Sequence, residues 1–267
     1  MQTMLIVKSL PLILSALLQD HRADGTRNTL PLDMAPNSVD DQYEGCREKM
    51  ADLVKTKYLQ MEMSNSELFK NTWHDAEKKA NNPEDDLKQI HSVALYVYTN
   101  NNSNVFRDFN NAVRGERQKY KDKTFTWYSL HFLLTEATQI LKKTQNDCYS
   151  TYRGTTVEFD KDSLNKEIRF GSFTSSSSDQ AVANSFGPRS CFEVHTCEGV
   201  SVIKYSKYPD QKEVLIPPYE KFKVTAVKTK GQKGAWCDTV FTLKSTGRVS
   251  NLNCGVVAKI VQDRQKI

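Results

Sequence analysis

Apolar positions recur at helical spacing in the first half of the chain and at strand spacing in the second. From about Asp40 to Lys143 the pattern predicts five helices. Tyr43 to Leu59 is the first. Ser66 opens the second, with Trp73, Ala76 and Ala80 along one face. Leu87 to Tyr98 carries Ile90, Ala94, Tyr96 and Tyr98. Val105 to Arg114 carries Val105, Phe109, Ala112 and Val113, and Thr126 to Lys142 has the fullest stripe, from Leu130 to Leu141. After Cys148 the pattern shortens. Cys148 to Arg153 is β-rich and stops at Gly154, Ile168 to Gly171 is short and extended, and Ser190 to His195 alternates with period two. Val200 to Tyr205, Glu213 to Ile216, Lys221 to Thr229, Thr239 to Leu243 and Val256 to Val261 complete the predicted strands. Turn signals separate them at Gly187-Pro188, Pro217-Pro218 and Gly231 to Gly234. Helices first and strands second predict one α+β domain with a mostly antiparallel sheet.

The N-terminus departs from this pattern. Met1 to Lys8 carries one cation, Leu10 to Leu18 is apolar, and polar residues start at Gln19. That order predicts a secretory signal peptide over residues 1–23, with Ala16 and Ala23 as candidate cleavage positions. The apolar run is too short to span a bilayer. At the other end, Gly255 to Ala258 is apolar but Lys259, Asp263, Arg264 and Lys266 follow, so neither a membrane anchor nor a lipid-anchor signal fits. The expected product is freely secreted. Six cysteines (Cys46, Cys148, Cys191, Cys197, Cys237 and Cys254) then argue for three disulfides. None lies in a Cys-x-x-Cys pair, which speaks against a zinc site. Asn101-Asn102-Ser103 is a glycosylation sequon, expected on a surface loop. A net charge of +5, with no basic stripe interleaved with aromatics, argues against nucleic-acid binding.

Three features of the strand half could carry chemistry. Arg153, at a strand end before Gly154, could make bidentate contact with a phosphate or ribose. Gly171 to Ser178 is a serine-rich run, read on spacing as a loop, followed by a helix-like stretch from Asp179 to Phe186 that Asp179 or Ser178 could cap. In Gln211-Lys212-Glu213, read as extended chain, Gln211 and Glu213 share a face and Glu213 borders the apolar run Val214-Leu215-Ile216. Each alone also fits a solvated surface. No nucleophile elbow, Walker loop or Rossmann fingerprint competes with them.

Together, Arg153, the run Phe173 to Ser177 and Gln211-Lys212-Glu213 resemble the signature of the vertebrate ecto-mono-ADP-ribosyltransferases, the arginine-specific family related to several bacterial toxins. That signature is an Arg, a Ser-x-Ser stretch and a Glu-x-Glu. Asp40 to Cys46, Ala94 to Thr99 and Val202 to Ser206 also look like family segments, and the likeness runs from about Asp33 to Cys254. It implies a catalytic domain over residues 33–260: a helical half packed on two sheets around a cleft for NAD, which is the substrate, with NADP as a second candidate. It implies Arg153, Ser175 and Glu213 as catalytic residues and Tyr98, Arg153, Gly154, Phe186 and Ser206 as the NAD-cleft set. It also implies the disulfides Cys46–Cys254 and Cys148–Cys197, which leaves Cys191–Cys237 as a third. The chain departs from the signature at Gln211, where arginine-modifying members carry Glu; an amide cannot act as a general base near neutral pH. Three readings follow: a transferase with a protein acceptor, mainly an NAD glycohydrolase with water as acceptor, or a secreted binding module that keeps the fold without activity.

Overall fold

The computed structural model describes residues 29–257, so the signal segment over residues 1–23 and the basic tail lie outside the described residues. Eight α-helices and eight strands are described. The helical half comprises α1 (Arg47–Leu53), α2 (Leu59–Asn65), α3 (Glu67–Lys79), α4 (Gln89–Thr99), α5 (Val105–Gly115), α6 (Arg117–Lys121) and α7 (Tyr128–Thr144). The strand half comprises β1 (Tyr149–Thr155), β2 (Glu167–Arg169), β3 (Thr174–Ser177), α8 (Gln180–Asn184), β4 (Ser190–Thr196), β5 (Val200–Ser201), β6 (Glu213–Ile216), β7 (Glu220–Thr229) and β8 (Thr239–Arg248).

The helices form where the periodicity placed them. Ser66 Oγ accepts from Phe69 N and starts α3, whose Phe69, Trp73 and Ala76 are buried on one face. In α5, Val105, Phe109, Ala112 and Val113 are buried in the same way. The first helix starts late, because Tyr43 and Gly45 have positive φ and Tyr43 cannot join a right-handed helix. It then runs past its expected end, through a π-turn over Val54–Tyr58 into α2.

All eight strands form one sheet in the order β2-β7-β8-β4-β1-β3-β6-β5, rather than the two sheets the family likeness implied. Pairing is antiparallel except between β4 and β8. The reason for the single sheet is narrow. β1 pairs with β4 along its whole length but meets β3 at a single residue pair, Tyr152 with Ser177. Two cores flank the sheet, and on β6 Leu215 turns to one and its neighbour Ile216 to the other. Phe173, Val200, Val202 and Leu215 face the helical layer, while Ile168, Phe192, Val194, Phe222, Val224, Phe241 and Leu243 belong to a second core on the other side.

Three expected elements differ. The serine run is not a loop but β3. Its backbone pairs with β6, and Ser176 and Ser177 donate to the carbonyls of Val214 (2.9 Å) and Gln211 (2.8 Å), which satisfies hydroxyls that burial would otherwise penalise. The strand predicted over Val200 to Tyr205 stops at Ser201 and turns, with Ser206 N donating to Val202 O. The strand predicted over Val256 to Val261 is helical at Gly255 to Val257, its start held by the Asp41 carboxylate, which accepts from the backbone N–H groups of Cys254 (2.9 Å) and Gly255 (3.1 Å). The rest of that segment lies outside the described residues.

Disulfides join Cys46 to Cys254, Cys148 to Cys197 and Cys191 to Cys237. A buried ion pair helps tie the segment before α1 to β2 and to the segment after β8. Arg169 Nη1 donates to Asp40 Oδ2 at 2.6 Å, and the Asp40 carboxylate also accepts from the backbone of Asn251 (2.9 Å) and Leu252 (3.0 Å). Asp40→Ala would leave the Arg169 guanidinium buried without its counter-charge. A loss of about 3–5 kcal/mol is expected, read as a lower urea midpoint at unchanged slope; an unmoved midpoint would contradict this role.

Candidate active site

The seam between β1 and β3 opens into a cavity of about 750 Å³, counting its mouth. Tyr98, Arg153, Ser175, Phe186, Gln211 and Glu213 all line it, so residues scattered over more than a hundred positions meet at one site. Gly154 and Ser206 are not in the wall. A Cβ at Gly154 would lie 2.4 Å from Ala183 O and 2.8 Å from Gly187 O, so only glycine lets β1 approach the backbone of α8 and the turn that carries Phe186. Ser206 is buried behind the cavity, where its hydroxyl favours the charged form of Glu213.

Glu213 stands at the head of β6, opposite Ser177. Gln211 is not on the strand as the extended reading required. Pro209–Gln211 forms a 3₁₀ turn, and Lys212 then takes a left-handed conformation (φ 47°) that resets the chain into β6. The turn is fixed by Ser178 N donating to Lys212 O (3.1 Å) and by the Lys212–Asp179 ion pair (2.9 Å). Gln211 and Glu213 therefore share the cavity through this turn and not through strand alternation.

Burial dominates the electrostatics. The Glu213 carboxyl is pushed up to about 7 by loss of hydration, against the pull of Ser175, Arg153 and Ser206 toward the ionised form. Its Oε1 has no hydrogen-bond partner. Arg153 is lowered to about 10 by burial, with Tyr98 and Glu213 opposing. Its Nη1 donates to Ser175 O at 2.6 Å, and its Nε is unpartnered. Tyr98 braces the wall: its hydroxyl donates to Phe173 O (3.0 Å) and accepts from Asn110 Nδ2 (3.1 Å). Phe186 is half-buried in the wall, an apolar plate open to a planar ring.

Two wall residues escaped sequence reasoning. Arg114, at the end of α5, is half-buried and lowered to about 10 by lost hydration and then by Arg153. Asn110 is buried on the same helix with its Oδ1 unpartnered. The available signal was polar side chains interrupting the buried stripe of an amphipathic helix, which periodicity alone reads as its solvent side. With Arg114, two guanidinium groups and one carboxylate line the cavity. That balance suits an anionic ligand, and planar forks suit phosphates.

Among the described residues, one group of potential metal donors gathers, Cys148, His195 and Cys197, and its two sulfurs are joined in a disulfide. No helix among the described residues is long and apolar enough to cross a membrane.

This cavity with its Arg, Ser and Glu sits in a chain that belongs to the NAD:arginine ADP-ribosyltransferase family, whose profile matches residues 32–250. Among its relatives is the T-cell ecto-ADP-ribosyltransferase 1 of Rattus norvegicus, 37% identical over 240 residues, 86% of this chain and 82% of that one. The NAD(P)(+)–arginine ADP-ribosyltransferase 2 of Gallus gallus is 36% identical over 236 residues, 85% and 73% of the two chains. A eukaryotic mono-ADP-ribosyltransferase mutant solved in complex with NAD superimposes with a TM-score of 0.69 at 35% identity, over 84% of this chain and 98% of that one. The three disulfides and the ecto-enzyme relatives fit an extracellular setting.

The raised Glu213 value has a consequence for stability. From pH 4.5 to about 7 the unfolded chain ionises this carboxyl while the fold keeps it protonated, so Glu213 destabilises the fold progressively over that range. The effect levels off above about 7 at on the order of 3 kcal/mol. Glu213→Gln is therefore expected to raise the urea midpoint at pH 8 and to match wild type below pH 4.5. Equal midpoints at pH 8 would contradict the desolvation of this group.

Proposed function

We propose that the protein cleaves the nicotinamide–ribose bond of NAD and transfers ADP-ribose to a protein acceptor, with Glu213 as the central carboxylate. The single observation carrying this is a desolvated Glu213 in one cavity with Arg153 and Ser175, in a chain of the ADP-ribosyltransferase family. The catalytic domain spans residues 33–260, and residues 1–23 direct it to secretion.

In the reaction the bond between the ribose carbon and the pyridinium nitrogen breaks, and its electron pair goes to nicotinamide, which leaves neutral. The ribose carbon gains oxocarbenium character, as in glycoside hydrolysis. An ionised Glu213 stabilises that charge at little reorganisation cost, because its surroundings are already dry and fixed. Arg153, supported by Arg114, takes the phosphates. Ser175 holds Glu213 in register, Phe186 stacks on nicotinamide, and Tyr98, Gly154 and Ser206 shape the cleft around them.

Acceptor choice turns on Gln211. Its carboxamide can hold a guanidinium or a water by hydrogen bonds but cannot remove a proton from either. A guanidinium is no nucleophile until it loses a proton, whereas water can add first and release its proton to solvent afterwards; this favours a second reading, in which water takes the ribose carbon and the protein acts mainly as an NAD glycohydrolase. A non-catalytic binding module is disfavoured by the joint presence of Arg153, Ser175 and Glu213 in the cavity.

Incubation with adenylate-labelled NAD, with and without agmatine, separates the three; NADP can be run beside it. Label on protein or agmatine marks transfer, free ADP-ribose marks hydrolysis, and intact NAD marks the binding module. Glu213→Ala is expected to lower NAD consumption at least about a hundredfold; wild-type turnover in that variant would refute its role. Gln211→Glu is expected to raise transfer to agmatine about a hundredfold, and an unchanged rate would remove position 211 as the acceptor switch.

A further inference from the structure

The sequon Asn101-Asn102-Ser103 can carry a glycan only if Asn101 Nδ2 reaches solvent. In the fold, Asn101 sits in the turn between α4 and α5, half-buried and part of the wall of the active-site cavity. Both its Nδ2 and its Oδ1 are closed to solvent, and neither has a hydrogen-bond partner. Buried amide groups are rarely left so, because each forgoes its hydration without replacement.

The backbone explains why the side chain stays in. Asn101 N donates to Thr99 O (3.1 Å), and Ser103 N (3.3 Å) and Ser103 Oγ (3.0 Å) both donate to Asn100 O. Asn100 Oδ1 in turn accepts from Asn102 N (3.2 Å) and Lys207 Nζ (2.8 Å), while Lys207 N donates to Thr99 Oγ1 (3.0 Å). The turn is thus fastened to the segment that leads into Gln211 and Glu213. The unpartnered atoms of Asn101 also have company in the same wall: Asn110 Oδ1, Arg153 Nε and Glu213 Oε1. Unmet donors and acceptors gathered on one cavity are what a polar ligand would satisfy.

We propose that Asn101 is a ligand-binding residue of this cavity, hydrogen-bonding the dinucleotide through its carboxamide, and that its sequon is left unglycosylated in the folded, active protein. The identity of the ligand rests on the NAD reading above; the silent sequon does not. A carboxamide presents a donor and an acceptor side by side, which matches a ligand edge with the complementary pair. NAD offers two such edges, adenine and the nicotinamide carboxamide, and paired Asn contacts to adenine are well suited geometrically.

The test uses the full-length secreted protein. Peptide mass spectrometry before and after enzymatic deglycosylation is expected to find Asn101 unmodified. Kinetics with NAD compare Asn101→Ala and the near-isosteric Asn101→Asp with wild-type protein treated with the deglycosylating enzyme, which leaves an unmodified Asn101 intact. Both Asn101 variants are expected to raise KM for NAD about tenfold with kcat within about twofold, and the treated wild type to keep its KM. A glycan on Asn101 of the active protein would overturn the proposal, as would a wild-type KM in both Asn101 variants. If wild-type protein leaves NAD untouched, the NAD reading and with it the dinucleotide contact fail, whereas an unmodified Asn101 in that protein still supports the buried sequon.

Discussion

The site depends on one contact across the seam of the sheet. β1 and β3 share only the pair Tyr152–Ser177, and there the Arg153 guanidinium crosses to the Ser175 carbonyl. On one side, β1 is fully laddered to β4; on the other, β3 is fully laddered to β6, which presents Glu213. The opening between two well-paired halves is what makes a cavity inside a continuous sheet. A guanidinium suits the crossing because it stays charged while buried and donates in several directions at once. The same group that ties the halves together therefore also faces the ligand.

Burial sets the charge state of this cavity before any ligand arrives. Arg153, Arg114 and Glu213 are all displaced toward their neutral forms, chiefly by lost hydration. Unmet polar atoms on Arg153, Glu213 and Asn110 belong to the same condition. In the proposed reading NAD relieves both signs of it: its phosphates face the cations and its pyridinium favours ionised Glu213. Binding would thereby recruit the charged form of the carboxylate that the chemistry needs.

Much of this was legible in the chain. Phe69, Trp73 and Phe109 repeat at helical spacing because their helices bury one face, and such patterns survive in sequence. Arg153, Ser175, Gln211 and Glu213 were identifiable by their order and family likeness, and the fold gathers them on one cavity. What was not legible depends on partners distant in the chain. β3 looks like a loop because its hydroxyls are satisfied only once β6 supplies carbonyls at Val214 and Gln211. The single sheet turns on one residue pair, which no local periodicity records. Asn101 was expected on a surface loop, and nothing local singled out Arg114 or Asn110, because the cavity they line forms only once distant segments meet. Lys212 marks the subtlest failure: one left-handed residue replaces the strand alternation that had seemed to join Gln211 to Glu213.

In the proposed mechanism the desolvated Glu213 must ionise for NAD to be cleaved. The most direct test is kcat/KM for NAD consumption between pH 5 and 9, which reports ionisations of the free enzyme. The expected rate rises about tenfold per pH unit below about 7 and then levels off. A profile that is flat from pH 5 upward, with Glu213 intact, would contradict it.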